Sequence, residues 1–165
     1  MKDSYYLDIC SEIARASTCL KMQVGAVIVK NNEIVSTGCN SSPPGIIKCT
    51  DIGYCVRKDK EIPSKYLLGF CPANHAEESA LLSAARKGVC LEGATLYCTH
   101  SPCFMCTKMI LRSGISRVVC RYKYEDPRAA KLWQISGLEV IIPVSYTQLR
   151  AHETEADLVC RLLLE

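Results

Sequence analysis

ATLYCTHSPCFMCTKMILRSG, residues 94–114, decides how this chain is read. Its first seven residues are an apolar, β-rich run of strand length, the mark of a buried strand. Pro102 then opens a helix at the position where a missing N–H costs nothing, and Gly114 closes it. Cys103 and Cys106 lie three apart on that helix and so share a face. A strand that delivers two thiols to the start of a helix suggests an α/β domain with a metal or thiol site at one edge of its sheet.

The rest of the chain extends this pattern. Residues 4–20 carry apolar groups at roughly helical spacing. VGAVIVK (24–30) and EIVSTGC (33–39) are strand-like and flank Asn31-Asn32, a two-residue hairpin turn. Residues 41–74 are irregular and rich in Pro and Gly, a length that suggests a functional or tied-down loop. NHAEESALLSAARKG (74–88) starts with an N-cap residue and an acidic first turn and ends at Gly88. SRVVCRY (116–122), PRAAKLWQISG (127–137) and LEVIIPV (138–144) predict a strand, a helix and a strand. The expected order is α-β-β-α-β-α-β-α-β, a mixed sheet of about five strands between helical layers.

Bulk properties exclude several classes. A net charge of +3 is too small to argue for a nucleic-acid partner. No apolar run approaches the roughly 20 residues of a membrane span, and Asp3 and Asp8 interrupt any secretory pattern. A cytoplasmic protein is the expectation. Twelve cysteines would suggest a disulfide framework in a small secreted protein. Without such a leader, and with a CxxC beside a helix, metal ligation is the better reading.

His75 and Glu77 supply the other half of the site. His75, Cys103 and Cys106 give three ligands suited to Zn²⁺ and leave a fourth position for water, the arrangement of a catalytic site. Zinc lowers the pKa of a bound water towards about 7. Glu77, two residues from His75, can move protons without ligating. A structural Cys3His zinc knuckle is the alternative, but it would need a fourth ligand and has no use for Glu77.

H-A-E at 75–77 followed by P-C-x-x-C at 102–106 resembles the signature of the zinc deaminases of bases and nucleotides. Over residues 3–143 the chain is similar to the cytidine and deoxycytidylate deaminase superfamily. QVGAVIV (23–29), STGCNSSPPG (36–45) and residues 92–115 look like the deoxycytidylate (dCMP) branch, bacterial or phage-like. The resemblance implies a three-layer α/β/α fold, one catalytic zinc and hydrolysis of dCMP to dUMP, a step in pyrimidine nucleotide metabolism. It implies substrate contacts at Asn40 (to the sugar), Ser41, Ser42, Ala76 and Tyr124 (against the base), with the loop amides of 41–45 suited to a phosphate. It further implies a homo-oligomer, dimeric or hexameric, dCTP and dTTP as possible effectors, and a link of Arg86 to assembly and regulation. Cys19, Cys49, Cys55 and Cys71 resemble the set that holds a second, structural zinc in some relatives. Cys10, Cys39, Cys90, Cys98 and Cys120 are expected in the core.

The chain departs from the branch at Cys39, Ser41 and Ser79, where Tyr, Gly and Asn are usual, and lacks the basic residue usual shortly before His75. Another substrate therefore stays open: cytidine, guanine, another free base or nucleotide, or a tRNA adenosine. A non-catalytic zinc-binding module is a further alternative. Residues 144–165 resemble a translated sequencing adapter, so the domain is expected to span 1–143 and the tail to be non-native.

Overall fold

The computed structural model describes residues 2–55 and 71–143. The tail expectation for 144–165, and the middle of the 41–74 loop, lie outside these residues. The elements are α1 (Asp3–Ala14), β1 (Gly25–Lys30), β2 (Glu33–Cys39), a short α2 (Cys49–Ile52), α3 (Ala76–Arg86), β3 (Thr95–His100), α4 (Phe104–Arg112), β4 (Arg117–Tyr122), α5 (Pro127–Ser136) and β5 (Glu139–Ile141).

The strands form one sheet in the order β2-β1-β3-β4-β5. β1 runs antiparallel to both β2 and β3, while β3, β4 and β5 are mutually parallel. The hairpin between β1 and β2 turns on Asn31 and Asn32, both at positive φ (51° and 63°), as a primed turn requires. Asn tolerates this left-handed region better than most side chains.

Strand alternation sends the apolar side chains of β1, β3 and β4 to both faces. Ala26, Ile28, Leu96, Cys98, Val118 and Cys120 pack with Ala80, Ala84 and Ile110 of α3 and α4. Val27, Val29, Tyr97 and Val119 pack with Tyr6, Leu7 and Cys10 of α1 on the other side. Burial on both faces is why these strands read as continuous apolar runs. α3 lies unusually close to β2: a Cβ at Gly38 would collide with the backbone of Ala76 and Ala80. Only a glycine permits that approach.

Two expectations change. The helical spacing over 4–20 gives a helix only to Ala14. Beyond it Asn40 holds the chain: its Oδ1 accepts from Ser17 Oγ at 2.7 Å and from Val24 N at 2.8 Å. Among the cysteines expected in the core, Cys10, Cys98 and Cys120 are buried, but Cys90 is exposed and Cys39 half-buried. Cys90 lies in the irregular segment after the turn that ends α3, and Cys39 ends the edge strand β2.

Candidate active site

Two helix starts meet at one edge of the sheet. His75 is the N-cap of α3, and its N–H donates to Glu78 Oε2 at 3.3 Å. Cys103 is the N-cap of α4, with Cys106 one turn in. His75 Nδ1 lies 3.5 Å from Cys103 Sγ and 3.4 Å from Cys106 Sγ. A tetrahedral zinc with bonds of about 2.3 Å to sulfur and 2.0–2.1 Å to nitrogen would separate these atoms by about 3.6 Å. The spacing therefore fits zinc. Among the described residues, this is the one group of three or more potential ligands with donor atoms mutually within 4.8 Å.

A hydrogen bond from Cys106 holds the Cys103 thiol down to about 4, against burial. The same bond, with burial, pushes the Cys106 thiol far up. His75 is raised by its contact with Cys103, a shift that burial opposes. Glu77 is 4% exposed and raised by burial. It stands beside the ligand group without joining it, placed by its position in the first turn of α3.

The cavity above this edge measures about 310 Å³ and is lined by His75, Ala76, Glu77 and Cys103 together with Asn40, Tyr124, Lys21 and His100, among others. Three of the expected substrate contacts, Asn40, Ala76 and Tyr124, are thus at the wall. The structure does not bring Ser41 and Ser42 there. Ser41 pairs with Asn74. Ser42 is buried, its Oγ donates to Ile47 O at 3.1 Å, and its N–H is turned to Thr18 Oγ1 at 3.4 Å. Asn40 is largely engaged: besides its two accepted bonds, Nδ2 donates to Met22 O at 2.8 Å, which leaves one amide hydrogen. Its main structural work is to clamp the 17–24 loop that carries Lys21 to the cavity.

Sequence reasoning did not single out Lys21 or His100. Both flank motifs that it did use, but neither has a spacing that signals chemistry. Cys19 lines the same cavity. Cys49 is buried at the start of α2, and Cys55 and Cys71 border residues 56–70. Among the described residues these four do not form a second ligand group. Arg86 is exposed in the last turn of α3.

A three-ligand His-Cys-Cys site with a buried, unligated glutamate, set at the helix starts of a mixed α/β/α sheet, defines the zinc-site deaminase class. The family model for the cytidine and deoxycytidylate deaminase zinc-binding region matches residues 1–122, and the chain belongs to that family. The deoxycytidylate deaminase of Mycobacterium phage D29 is 42% identical over 122 residues, covering 71% of this chain and 91% of the phage protein. That of Schizosaccharomyces pombe is 37% identical over 139 residues, covering 84% of this chain. The chain spans only 42% of the length of that relative. The dCMP deaminase of cyanophage S-TIM5, solved in complex with dCMP and dUMP, superposes with a TM-score of 0.72 at 31% identity, covering 87% of this chain and 99% of the phage chain.

Proposed function

We propose that this chain is a zinc-dependent hydrolase that converts dCMP and water to dUMP and ammonia. The observation that carries the reading is the buried Glu77 carboxyl beside three zinc-fitting ligands at the floor of a nucleotide-sized cavity. The dCMP and dUMP held by the cyanophage relative support the choice of substrate. Lys21 supports a substrate that carries a negative charge.

His75, Cys103 and Cys106 would hold the zinc, which when bound supplies Lewis acidity and makes water acidic enough to attack at neutral pH. Glu77 takes a proton from the attacking water and passes it to ring N3. It then delivers the second proton to the departing amine at C4. The C4–N4 bond breaks, ammonia leaves, and the carbonyl of uracil remains. Burial suits Glu77 to this work, because a raised carboxyl holds a proton long enough to pass it on. In this reading Tyr124, at the wall, would pack on the base, and the remaining Nδ2 hydrogen of Asn40 would serve the sugar; both residues line the cavity.

Ammonia release from dCMP by the zinc-loaded protein tests this reading. Glu77→Gln should lower kcat by about 10²–10⁴-fold with zinc content unchanged. A zinc-loaded wild type that turns over cytidine, guanine or a tRNA adenosine but not dCMP would replace the substrate. Inertness towards all of them would leave a zinc-binding module.

The finer parts of the reading are a cytoplasmic homo-oligomer, dCTP and dTTP as effectors with Arg86 involved, and a structural zinc on Cys19, Cys49, Cys55 and Cys71. That second zinc requires the four sulfurs to come together from their present places. Two zinc ions per chain would support it, and one per chain would remove it.

A further inference from the structure

Among the described residues, His100 is the one imidazole at the cavity wall besides His75, and its surroundings determine what it can offer. Its Nδ1 lies 3.2 Å from Thr99 Oγ1. That oxygen already accepts the Gly25 N–H at 3.3 Å. Thr99 is 4% exposed, and its hydroxyl hydrogen has no other acceptor among the described residues. If Nδ1 carried the proton, the Thr99 hydroxyl hydrogen would be stranded in the interior, at a cost of about 1–3 kcal/mol. We therefore assign the tautomer in which Thr99 donates to Nδ1 and the ring proton sits on Nε2.

The ring is also braced. It packs on Tyr122 with centroids 5.3 Å apart, and these two residues are register partners on β3 and β4. The strand end is held by the Ser101 N–H donating to Tyr122 O at 2.9 Å and the Tyr124 N–H donating to Ser101 Oγ at 2.8 Å. Nε2 has no partner among the described residues and is not sealed from solvent. His100 is among the residues that line the cavity.

We propose that His100 is a specificity-determining residue that presents a fixed N–H donor to the 5′-phosphate of a nucleoside monophosphate, with Lys21 as the accompanying cation. The proposal rests on the deaminase reading of the same cavity. A neutral ring locked in this tautomer can donate from Nε2 but cannot accept there. It suits a group that only accepts, and a phosphate monoester dianion at neutral pH is such a group. Lys21, lining the same cavity, supplies the charge that a neutral imidazole does not. Burial lowers the His100 pKa and favours this neutral state.

The test is ¹⁵N NMR of the zinc-loaded Glu77→Gln protein, titrated with dCMP and separately with deoxycytidine, alongside kinetics of otherwise wild-type variants. The free protein should show the Nε2-protonated pattern for His100. dCMP should shift the Nε2 signal, and deoxycytidine should not. Thr99→Val should convert the signal to a mixture of tautomers. In turnover, His100→Leu should raise KM for dCMP about 10- to 100-fold, as loss of a bond to a charged group predicts. Its kcat should fall less, and His100→Gln should recover part of the loss. An Nδ1-protonated ring, a response to deoxycytidine equal to that to dCMP, or no response to either overturns the proposal. The NMR result stands whether or not the wild type deaminates dCMP, so failure of the deaminase reading is seen separately.

Discussion

The carboxylate of Asp126 accepts the Phe104 N–H at 3.0 Å and so caps the helix that carries Cys106. Its other oxygen accepts the Arg128 N–H at 3.1 Å, in the first turn of α5. One side chain, 7% exposed, thus satisfies amides at two helix starts. Asp126→Ala should cost about 1–2 kcal/mol, the upper range for a lost cap. It should also weaken zinc binding about 10- to 100-fold, because the turn between Cys103 and Cys106 loses an anchor. Thermal unfolding and a competitive zinc titration measure the two effects. A stability loss with unchanged zinc affinity would show that the turn is held by other bonds, such as Thr107 Oγ1 donating to Cys103 O at 2.9 Å.

Gly38 and α3 should be inseparable. In Gly38→Ala the new methyl meets backbone atoms of Ala76 and Ala80, which cannot rotate away as a side chain would. The overpacking should cost about 1–3 kcal/mol or more. Since α3 starts at His75 and Glu77, zinc content should fall with stability. A variant with wild-type Tm and full zinc would show that α3 can slide over the sheet.

Zinc binding should release protons and strengthen as pH rises. Ligands must be deprotonated to bind. In the metal-free protein His75 and Cys106 are both raised, so protons compete for them across the neutral range. Cys103, held near 4, competes only in acid. Calorimetry in buffers of different ionisation enthalpy should show proton release. An affinity independent of pH between about 6 and 8 would contradict these protonation states.

Acid should loosen the start of α1. Arg117 donates to Asp3 with Nη2 at 2.8 Å and Nη1 at 3.2 Å, and Tyr97 Oη donates to it at 2.8 Å. The hydrogen bond from Arg117 is the main cause that lowers the Asp3 pKa. A carboxyl lowered in the folded state adds stability above its unfolded value of about 3.9, and that stability is lost as pH falls through the folded value. Asp3 is 38% exposed, so solvent screens much of the pair and the effect should be modest. The stability gap between wild type and Asp3→Asn should be open at pH 6 and closed near pH 2. A gap constant with pH would mean that the charge of Asp3 contributes nothing.

The elements were legible where local chemistry decides them. Asn31-Asn32 specifies its turn through a conformation that few residues tolerate. Strand 94–100 and the helix after Pro102 were readable because an apolar run, a proline and a closing glycine each act within a few residues. The end of α1 was not readable, because the helical spacing continues past Ala14. Past that point the chain is held by Asn40, 23 residues from the Ser17 it binds. That Ser41 and Ser42 lie off the cavity wall was not readable either: Thr18 and Ile47 claim the groups of Ser42.

The sequence by itself picked out the group of His75, Cys103 and Cys106 that the fold assembles, and the Glu77 beside it. Within each motif the spacing is local, Glu77 two positions after His75 and Cys106 three after Cys103, so any helix built on them presents the same chemistry. Tertiary structure alone decided what surrounds them. Lys21 reaches the cavity because Asn40 clamps its loop. His100 becomes a fixed donor because Gly25, on the neighbouring strand, occupies the Thr99 oxygen and leaves its proton only one place to go. Such roles depend on hydrogen bonds between residues 74 positions apart, and no local pattern in the chain records them.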